Sequence, residues 1–351
     1  MIANSAVYFI NSEYQILNQY LAENAISKIF IIVDENTNEY CLPHFLPQLE
    51  TEIPFEIIEL EAGEEHKTIE TCAGVWEALT ELGADRKSLI INIGGGVITD
   101  MGGFIASTFK RGIPFINIPT TLLAMVDASV GGKNGVDLGG LKNQIGTITQ
   151  PEMVLIDTYY LESLSQREMR SGLAEMLKHG LIANKEHWNR FKNLSALQFE
   201  DFGFLIQESV AIKAEIVAKD PKENNIRKTL NFGHTLGHAI ETYFLENPEK
   251  ERLLHGEAIA CGMILESYLA FKNKSLTSEE YLEVKNQIQD IFEPISFDKK
   301  DIDAIIGLLV HDKKNEFGII QFSLINRIGH CLYNQTTDNE TILEAFEDYK
   351  N

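Results

Sequence analysis

The sequence predicts an α/β domain with a mostly parallel sheet, followed by a mainly α-helical domain. Between residues 1 and 160, short β-branched segments alternate with segments of helical periodicity, the pattern of a parallel sheet covered by helices. After about residue 160, long segments with the helical apolar period dominate instead. A chain of 351 residues exceeds the usual size of one hydrophobic core, so we expect two domains, 1–160 and 161–351.

Six segments of the first half have the length and the β-branched composition of buried parallel strands. A helical pattern at Ile69–Leu82 lies between two of them and ends at Gly83, as helices often do. The predicted strands are Val7–Ile10, Lys28–Val33, Phe55–Leu60, Ser88–Ile93, Pro114–Ile118 and Met153–Ile156.

Six helical segments and two strand-like segments make up the second half. The segment Gly256–Ala270 is apolar and rich in small residues on nearly all sides, so it should form a buried central helix. The strand-like pair should close the domain. The predicted helices are Gln166–Ala183, Phe202–Lys219, Lys228–Phe244, Gly256–Lys272, Ser278–Phe292 and Asp301–Val310, and the predicted strands are Ile319–Ile325 and His330–Tyr333.

The formal net charge of −22 argues against a general nucleic-acid binder and against binding to an anionic membrane surface. It does not exclude a small anionic substrate, because such a substrate needs only a local basic pocket. The hydrophobic content of 44% and the charged content of 23% are those of a globular protein. We therefore expect a small-molecule partner and no nucleic-acid or membrane partner.

Four cysteines are scattered along the chain without any C-x-x-C pair, which is typical of structural thiols in a reducing compartment. The N-terminal residues have no basic segment followed by an apolar core, and no apolar run reaches the length of a membrane span. The sequence therefore predicts a cytoplasmic protein.

A histidine-rich stretch, Asn231-Phe-Gly-His-Thr-Leu-Gly-His238, dominates the second half. On a helix, His234 and His238 lie on one face, one turn apart, and His255 opens the next apolar segment. Convergent histidines with a carboxylate can hold a zinc ion and leave one position open. The H-E-x-x-H pattern is absent because Thr235 occupies the glutamate position. Two interpretations stay open, a metal site and two half-buried polar residues on an amphipathic helix.

Glycines concentrate in the first half, where twelve of the 25 fall between Gly94 and Gly146. The run Gly94-Gly95-Gly96 directly follows a predicted strand. Glycines at a strand-to-helix turn let a diphosphate approach backbone N–H groups at a helix N-terminus. The spacing is not G-x-G-x-x-G, so a tight strand-to-helix turn without any ligand is the alternative.

Polar residues follow other predicted strands at the same edge of the sheet. Asp34 and Asn36 follow one strand, where an acidic residue could hold an adenosine ribose, and Thr120 and Thr121 follow another. The loop Glu64–Lys67 enters the next helix. Each feature alone could be a turn or a cap, but together they occupy the edge at which parallel sheets bind nucleotides.

Cations and amides are interspersed among the later glycines. A lone lysine in such a stretch is usually a surface residue. A cluster of cations and amides more often contacts a carboxylate or a phosphate. The residues concerned are Lys110, Arg111, Asp127, Lys133, Lys142 and Asn143.

Several of these motifs, taken in order, resemble the 3-dehydroquinate synthase family. They are GGGVITDMGGFIASTFKRG, IPTTLLAMVDASVGGKNGVD, GLKNQIG, SGLAEMLKHG, LNFGHTLGHAIE and LHGEAIACGM. The resemblance spans about Asp34 to Gly329. It implies a nucleotide-binding α/β domain, a helical metal- and substrate-binding domain, and a homodimer. It also implies NAD and a divalent metal, usually zinc with cobalt possible, as cofactors.

The resemblance also implies site residues. The metal ligands would be Glu175, His234 and His255, whereas His238 would contact substrate, which differs from the His234–His238 pair that spacing alone suggests. The NAD contacts would be Asp34, Asn36, Glu64, Lys67, Gly95, Gly96, Asp100, Thr120, Thr121 and Lys142. The substrate contacts would be Arg111, Asp127, Lys133, Lys142, Asn143, Lys178, Lys213, Arg227, Asn231, His238 and Lys313, with Lys314 as the alternative to Lys313.

Two departures from the family pattern stand out. The run GGKNGVDLGGLKN replaces the GGKT-x-VN-x-P-x-GKN that members often have, so Asn134, Asp137 and Leu141 are unusual. The segment 239–254 between His238 and His255 is longer than in many members.

The implied activity is that of a lyase of the shikimate pathway, which leads to chorismate and the aromatic amino acids. It converts 3-deoxy-D-arabino-heptulosonate 7-phosphate to 3-dehydroquinate and phosphate through transient oxidation, phosphate loss, re-reduction, ring opening and aldol closure. Three alternatives are a metal-dependent alcohol or glycerol dehydrogenase, another sugar-phosphate cyclase, and a non-catalytic nucleotide-binding relative. The dehydrogenases need no phosphate pocket, and a non-catalytic protein need not keep three metal ligands.

Overall fold

The computed structural model describes residues 6–10, 14–139, 141–196, 199–309 and 320–350. The chain divides into two compact units, Met1–Met169 and Arg170–Asn351. The predicted domain division at residue 160 stays a prediction, since compactness alone does not show which part folds by itself.

The first unit is built on a six-stranded sheet, and the predicted fold class is confirmed. The strand order is β1-β8-β5-β4-β2-β3, and every neighbouring pair is parallel. All six predicted strands belong to this sheet, whereas an antiparallel hairpin, β6 and β7, was not predicted. The strands of the unit are β1 Val7–Phe9, β2 Ile29–Asp34, β3 Phe55–Leu60, β4 Leu89–Gly94, β5 Phe115–Pro119, β6 Lys133–Leu138, β7 Leu141–Ile148 and β8 Met153–Ile156.

Helices join these strands, as the alternating pattern predicts. The predicted helix beginning at Ile69 is confirmed and ends one residue early, at Glu81. The α-helices are α1 Gln15–Glu23, α2 Glu35–Tyr40, α3 Leu42–Phe45, α4 Ile69–Glu81 and α5 Gly96–Thr108. Short 3₁₀ segments cover Leu46–Gln48, Glu64–His66, Phe109–Arg111 and Thr158–Ser163, and Ala124–Ala128 forms a π-helical turn.

Helix α5 packs closely on β4 and β6 through two adjacent glycines. A methyl group on Gly102 would lie 1.9 Å from the Asn92 side-chain oxygen, and one on Gly103 would lie 2.0 Å from that of Asn134. The Asn134 amide nitrogen is itself fixed by the carbonyl oxygens of Gly132 and Thr149, at 3.0 and 2.9 Å. Asn134 therefore fixes the start of the hairpin against α5.

The second unit is mainly helical, as predicted. The α-helices are α6 Gln166–Ala183, α7 Lys185–Arg190, α8 Phe199–Lys219, α9 His234–Glu246, α10 His255–Lys272, α11 Ser278–Gln289, α12 Lys299–Leu309 and α13 Asn339–Tyr349. The 3₁₀ segments are Phe191–Ala196 and Ile226–Asn231, and the antiparallel strands are β9 Phe322–Arg327 and β10 His330–Gln335. No helix in the described ranges is both long enough and apolar enough to cross a membrane.

The prediction of one helix over Lys228–Phe244 is wrong, because the helical conformation is interrupted at Gly233. This glycine has a φ of 78°, a left-handed conformation that a side chain would disfavour. A 3₁₀ segment ends at Asn231, and α9 begins at His234. The break places His234 in the first position of a new helix.

Helices α9 and α10 touch through their backbones. A methyl group on Gly262 of α10 would lie 2.0 Å from the Gly233 carbonyl oxygen and 2.8 Å from the Gly237 nitrogen. Helix α10 is buried over most of its length, which confirms the prediction of a central apolar helix. Small residues on both helices therefore set the distance between the segments that carry the histidines.

We expect the substitution Gly262→Ala to lower the free energy of unfolding by about 1–3 kcal/mol, the usual cost of overpacking. The added methyl group meets backbone atoms, which cannot rotate away. Gly307→Ala is the matched control, since this glycine of α12 has open space around its Cα. The control should raise the free energy by about 0.5–1 kcal/mol through helix propensity. Urea denaturation measures both, and an unchanged midpoint for Gly262→Ala would contradict the packing argument.

Candidate active site

The carboxyl edge of the sheet gathers several residues predicted to bind NAD. Gly95 follows β4 and Thr121 follows β5, and a methyl group on Gly95 would lie 3.1 Å from the Thr121 methyl carbon. The Thr120 N–H donates to the Gly94 carbonyl oxygen at 3.0 Å, which locks the two strand ends together. Gly96 opens α5, so backbone N–H groups of a helix N-terminus face this edge.

Asp34 lies at the end of β2, on the same edge. Its carboxylate accepts a hydrogen bond from the Thr37 N–H at 2.8 Å, and the Thr37 hydroxyl oxygen accepts one from the Asp34 N–H at 2.9 Å. Asp34 is therefore the N-cap of α2, while Asn36 is exposed in the first turn of that helix. The capping bonds hold the Asp34 carboxylate in a fixed orientation at the strand end.

A buried lysine connects the other residues predicted to bind nucleotide in this unit. Lys67 donates to the Asp100 carboxylate at 2.7 Å and to the Asn143 side-chain oxygen at 2.8 Å, and Lys142 lies 3.2 Å from the Glu64 carboxylate. Burial alone would lower the pKa of Lys67, but the carboxylates of Asp100 and Glu64 outweigh it and raise that pKa above its usual value. Lys67 is therefore charged at neutral pH.

Asp137, which belongs to the same unusual run as Asn134, holds Asn143 in place. Its carboxylate accepts a hydrogen bond from the Asn143 N–H at 2.6 Å, and its own N–H donates to the Lys67 carbonyl oxygen at 2.9 Å. Asn143 has a φ of 49°, which costs energy for a residue with a side chain. Asp137 thus supports a strained backbone that aims the Asn143 amide at Lys67.

Arg111 is separated from these residues. It precedes β5, so it lies at the amino edge of the sheet, opposite Gly95 and Thr121. There it lines an open pocket of about 600 Å³ together with Asp85, Arg86, Thr108 and Lys110. Asp127 lies in the π-helical turn, an irregularity that is frequent at functional sites, and Lys133 is an exposed residue at the start of β6.

In the second unit, Glu175, His234 and His255 converge. The Glu175 carboxylate is 0% exposed, and its Oε1 lies 3.5 Å from His234 Nε2 and 3.6 Å from His255 Nε2. These distances are too long for good hydrogen bonds. Ligand atoms of one tetrahedral zinc ion at 2.0–2.1 Å lie about 3.4 Å apart, so the two separations fit atoms that share an ion.

The Nδ1 atom of each imidazole is also held by a hydrogen bond. His234 Nδ1–H donates to the Phe232 carbonyl oxygen at 3.1 Å, and His255 Nδ1–H donates to the Glu241 carboxylate at 3.2 Å. Such bonds orient metal-binding histidines and fix the tautomer in which Nε2 is the ligand atom. Burial lowers the pKa of His255, but Glu241 and Glu175 outweigh this effect and raise it to about 9 without a metal. The donor set therefore fits a divalent cation.

His238 lies beside the same group. Its ring centroid is 5.0 Å from that of His234 and 5.7 Å from that of His255, and the three histidines offer ligand atoms within 4.8 Å of one another. The geometry thus accommodates both the His234–His238 pair from spacing and the Glu175 set from the resemblance. Which set binds the metal stays a prediction.

Cationic residues predicted to contact substrate are buried in this unit. Lys178 is in contact with the Glu175 carboxylate, and Lys213 is buried on α8. Arg227 is buried, and its guanidinium donates to the Pro221 carbonyl oxygen at 2.8 Å. Lys313 and its alternative Lys314 lie outside the described residues.

The sequence reasoning missed Glu223. Its carboxylate accepts a hydrogen bond from the Asn231 side-chain nitrogen at 2.7 Å, and its φ is 58°. The Asp220 carboxylate shapes this loop by accepting N–H bonds from Asn225 at 2.6 Å and Arg227 at 3.1 Å. The only local signal is a run of turn-forming residues, which does not reveal that a glutamate adopts a left-handed conformation.

Comparison with known proteins gives a consistent result over most of the chain. Residues 57–171 match the family described as 3-dehydroquinate synthase N-terminal, and residues 172–315 match 3-dehydroquinate synthase C-terminal. A 3-dehydroquinate synthase from Parabacteroides distasonis is 43% identical over 340 residues, which cover 95% of this chain and 94% of that protein.

Two solved structures share the fold. ValA, a 2-epi-5-epi-valiolone synthase from Streptomyces hygroscopicus subsp. jinggangensis 5008 with NAD+ and Zn2+ bound, has a TM-score of 0.85 and 27% identity, covering 99% of this chain and 97% of its own. A 2-deoxy-scyllo-inosose synthase complexed with carbaglucose-6-phosphate, NAD+ and Co2+ has a TM-score of 0.82 and 26% identity, covering 97% and 96%.

We expect Glu241→Gln to weaken zinc binding by about 10-fold or more, because the bond that orients His255 loses its charge. Competition with a chromogenic chelator measures the affinity. The control is Glu208→Gln, since the Glu208 carboxylate lies 3.1 Å from Nδ1 of the buried His187 in the same geometry. The control should bind zinc as the wild type does. Equal affinities for both variants would contradict the role of Glu241 in orienting His255.

Proposed function

The chain belongs to the 3-dehydroquinate synthase family, and we propose that it holds the catalytic divalent metal ion on Glu175, His234 and His255. It catalyses the lyase reaction that releases phosphate from 3-deoxy-D-arabino-heptulosonate 7-phosphate and forms 3-dehydroquinate. The observation that supports the ligand set best is the buried Glu175 oxygen, 3.5 and 3.6 Å from two imidazole nitrogens. Zinc is the proposed ion and cobalt the alternative.

When bound, the metal lowers the pKa of a substrate hydroxyl and polarises the carbonyl that oxidation creates. The chain's part is to keep its ligands oriented. Phe232 and Glu241 do so by accepting the Nδ1–H bonds of the two histidines. Lys178 adds a positive charge beside the Glu175 carboxylate, where it can also donate to an anionic substrate group.

We assign NAD to the first unit. The nucleotide supplies reversible hydride transfer when bound. Backbone N–H groups at the start of α5 would bind its diphosphate, and the Asp34 carboxylate, already oriented by Thr37, would accept a hydrogen bond from its ribose. The remaining proposed contacts are Asn36, Glu64, Lys67, Gly95, Gly96, Asp100, Thr120, Thr121 and Lys142.

Substrate recognition requires positive charge for a phosphate and a carboxylate. We assign the phosphate to Lys133, Asn143, Arg227 and Lys313, and the carboxylate to Lys142 and Lys213. Arg111, which the resemblance implies as a third carboxylate contact, is left out because it lies at the opposite edge of the sheet from Lys142. Asn231, His238 and Asp127 complete the proposed substrate contacts. Glu223 keeps the Asn231 amide in a fixed orientation. The departing phosphate takes the proton in the elimination step, so that step needs no protein base.

We also propose that the protein is a cytoplasmic homodimer. The four cysteines are buried free thiols, which suits a reducing compartment. The dimer rests on the family resemblance alone. Sedimentation equilibrium would test it.

A second candidate function is cyclisation of another sugar phosphate. The two solved structures at 26% and 27% identity carry the names of such cyclases. The curated relative at 43% identity carries the name 3-dehydroquinate synthase and is therefore the stronger guide to substrate.

We expect equal release of phosphate and 3-dehydroquinate from the heptulosonate phosphate, without accumulation of NADH, because hydride returns within one turnover. Exhaustive chelation should abolish the activity, and zinc should restore it. A coupled assay that follows both products and absorbance at the NADH wavelength measures this. NADH accumulating with simple alcohols would indicate a dehydrogenase. If phosphate is released from a different sugar phosphate and not from the heptulosonate phosphate, the protein is another cyclase.

We expect Arg227→Ala to raise the KM for the sugar phosphate by about 10-fold or more, since a charge-assisted bond to phosphate is lost. The dissociation constant for NAD should not change. Arg190→Ala is the control, because this exposed arginine of α7 pairs with Glu208 and has no proposed role in binding. Equal losses for substrate and NAD would remove Arg227 from the phosphate site.

A further inference from the structure

A second carboxylate, Glu266, is completely buried in α10 and contacts the start of α9. Its Oε2 accepts a hydrogen bond from the Gly233 N–H at 2.7 Å, and its Oε1 accepts one from the Leu236 N–H at 3.0 Å. The side chain is 0% exposed. Burying a carboxylate costs free energy unless hydrogen bonds or opposite charges stabilise it. The burial of Glu266 therefore needs an explanation, and the two hydrogen bonds to α9 are the place to look for it.

The first turn of α9 cannot cap itself. The N-cap position is Gly233, which has no side chain and adopts a left-handed conformation. The first N–H groups of a helix have no partner within the helix and need an outside acceptor. Glu266 supplies that acceptor from the neighbouring helix, and its negative charge also suits the positive end of the helix dipole.

The two amides that Glu266 binds lie on either side of His234. Gly233 precedes this histidine and Leu236 follows it by two residues, so backbone N–H groups on both sides of His234 are bonded to one buried side chain. The close backbone contact of Gly262 with Gly233 leaves α9 little room to slide along α10. The imidazole then depends on this backbone for its bond to the Phe232 carbonyl oxygen.

We propose that Glu266 is a positioning residue that holds His234 in the orientation required for metal binding. The proposal rests on the role of His234 proposed above. Glu266 acts through the backbone of α9 and does not touch the metal. A purely structural role would lower stability and leave the metal affinity of the folded protein unchanged, whereas a positioning role changes both.

The variant Glu266→Gln tests the proposal, because the glutamine amide has a single oxygen and can accept only one of the two hydrogen bonds. Its NH2 group then faces the second backbone N–H, and two donors cannot bond to each other. We expect zinc affinity of the folded variant, measured by chelator competition, to fall about 10-fold. Hydrogen–deuterium exchange should be faster in the peptide that contains Gly233 and Leu236. If this variant does not fold, Glu266→Asp is measured instead, since it keeps the charge but shortens the reach.

Asp338→Asn is the matched control. The Asp338 carboxylate caps α13 by accepting from the Thr341 N–H at 2.7 Å, so the variant weakens a helix cap elsewhere in the same unit. It should lose stability but bind zinc as the wild type does. Wild-type zinc affinity and unchanged exchange in the folded Glu266 variant would overturn the proposal.

His234→Ala, measured in parallel, separates this proposal from the metal assignment. If His234→Ala loses zinc and Glu266→Gln does not, the positioning role is wrong and the ligand assignment stands. If His234→Ala binds zinc as the wild type does, the ligand assignment is wrong, and the positioning role that depends on it is overturned as well.

Discussion

The Glu175 carboxylate is fully buried, and its charge has to be balanced within the second unit. Burying an ion costs several kcal/mol, and only close counter-charges offset that cost. Lys178 contacts one oxygen of Glu175, and the imidazoles of His234 and His255 face the other. The pKa of His255 rises to about 9 because it faces two carboxylates, so a proton supplies positive charge where a divalent ion can supply it instead. Balancing the charge of Glu175 therefore requires side chains from three helices, α6, α9 and α10, to meet at this point.

The first unit also contains a buried charge that needs counter-charges, but this charge is positive. Lys67 is a buried cation, and its partners come from α5 and from the hairpin strand β7. Asp100 supplies the counter-charge and Asn143 supplies a neutral acceptor in a strained backbone conformation. Fixing the Lys67 side chain thus fixes both the helix that begins at the glycine turn and the hairpin that carries Lys142.

The sequence predicted the elements whose stability is local or follows a simple period. The six parallel strands, the buried helix α10 and the position of His234 and His238 on one face of a helix belong to this class. The break at Gly233, the hairpin of β6 and β7, and the contacts of Glu223 and Glu266 could not be predicted. Each depends on a residue in a left-handed conformation or on a side chain that bonds to backbone groups far away in the sequence. Neither feature produces a periodic pattern of apolar residues that could be recognised in the sequence.

The stretch GHTLGH encodes two faces of α9 at once. Gly233 and Gly237 are four residues apart, and so are His234 and His238, which places the glycines and the histidines on adjacent stripes about 100° apart. The glycine stripe meets the backbone of α10 at Gly262, and the histidine stripe faces Glu175. Substituting either glycine would displace the histidines without touching them. Spacing of the histidines alone therefore describes only part of the motif, because the glycines determine where those histidines lie.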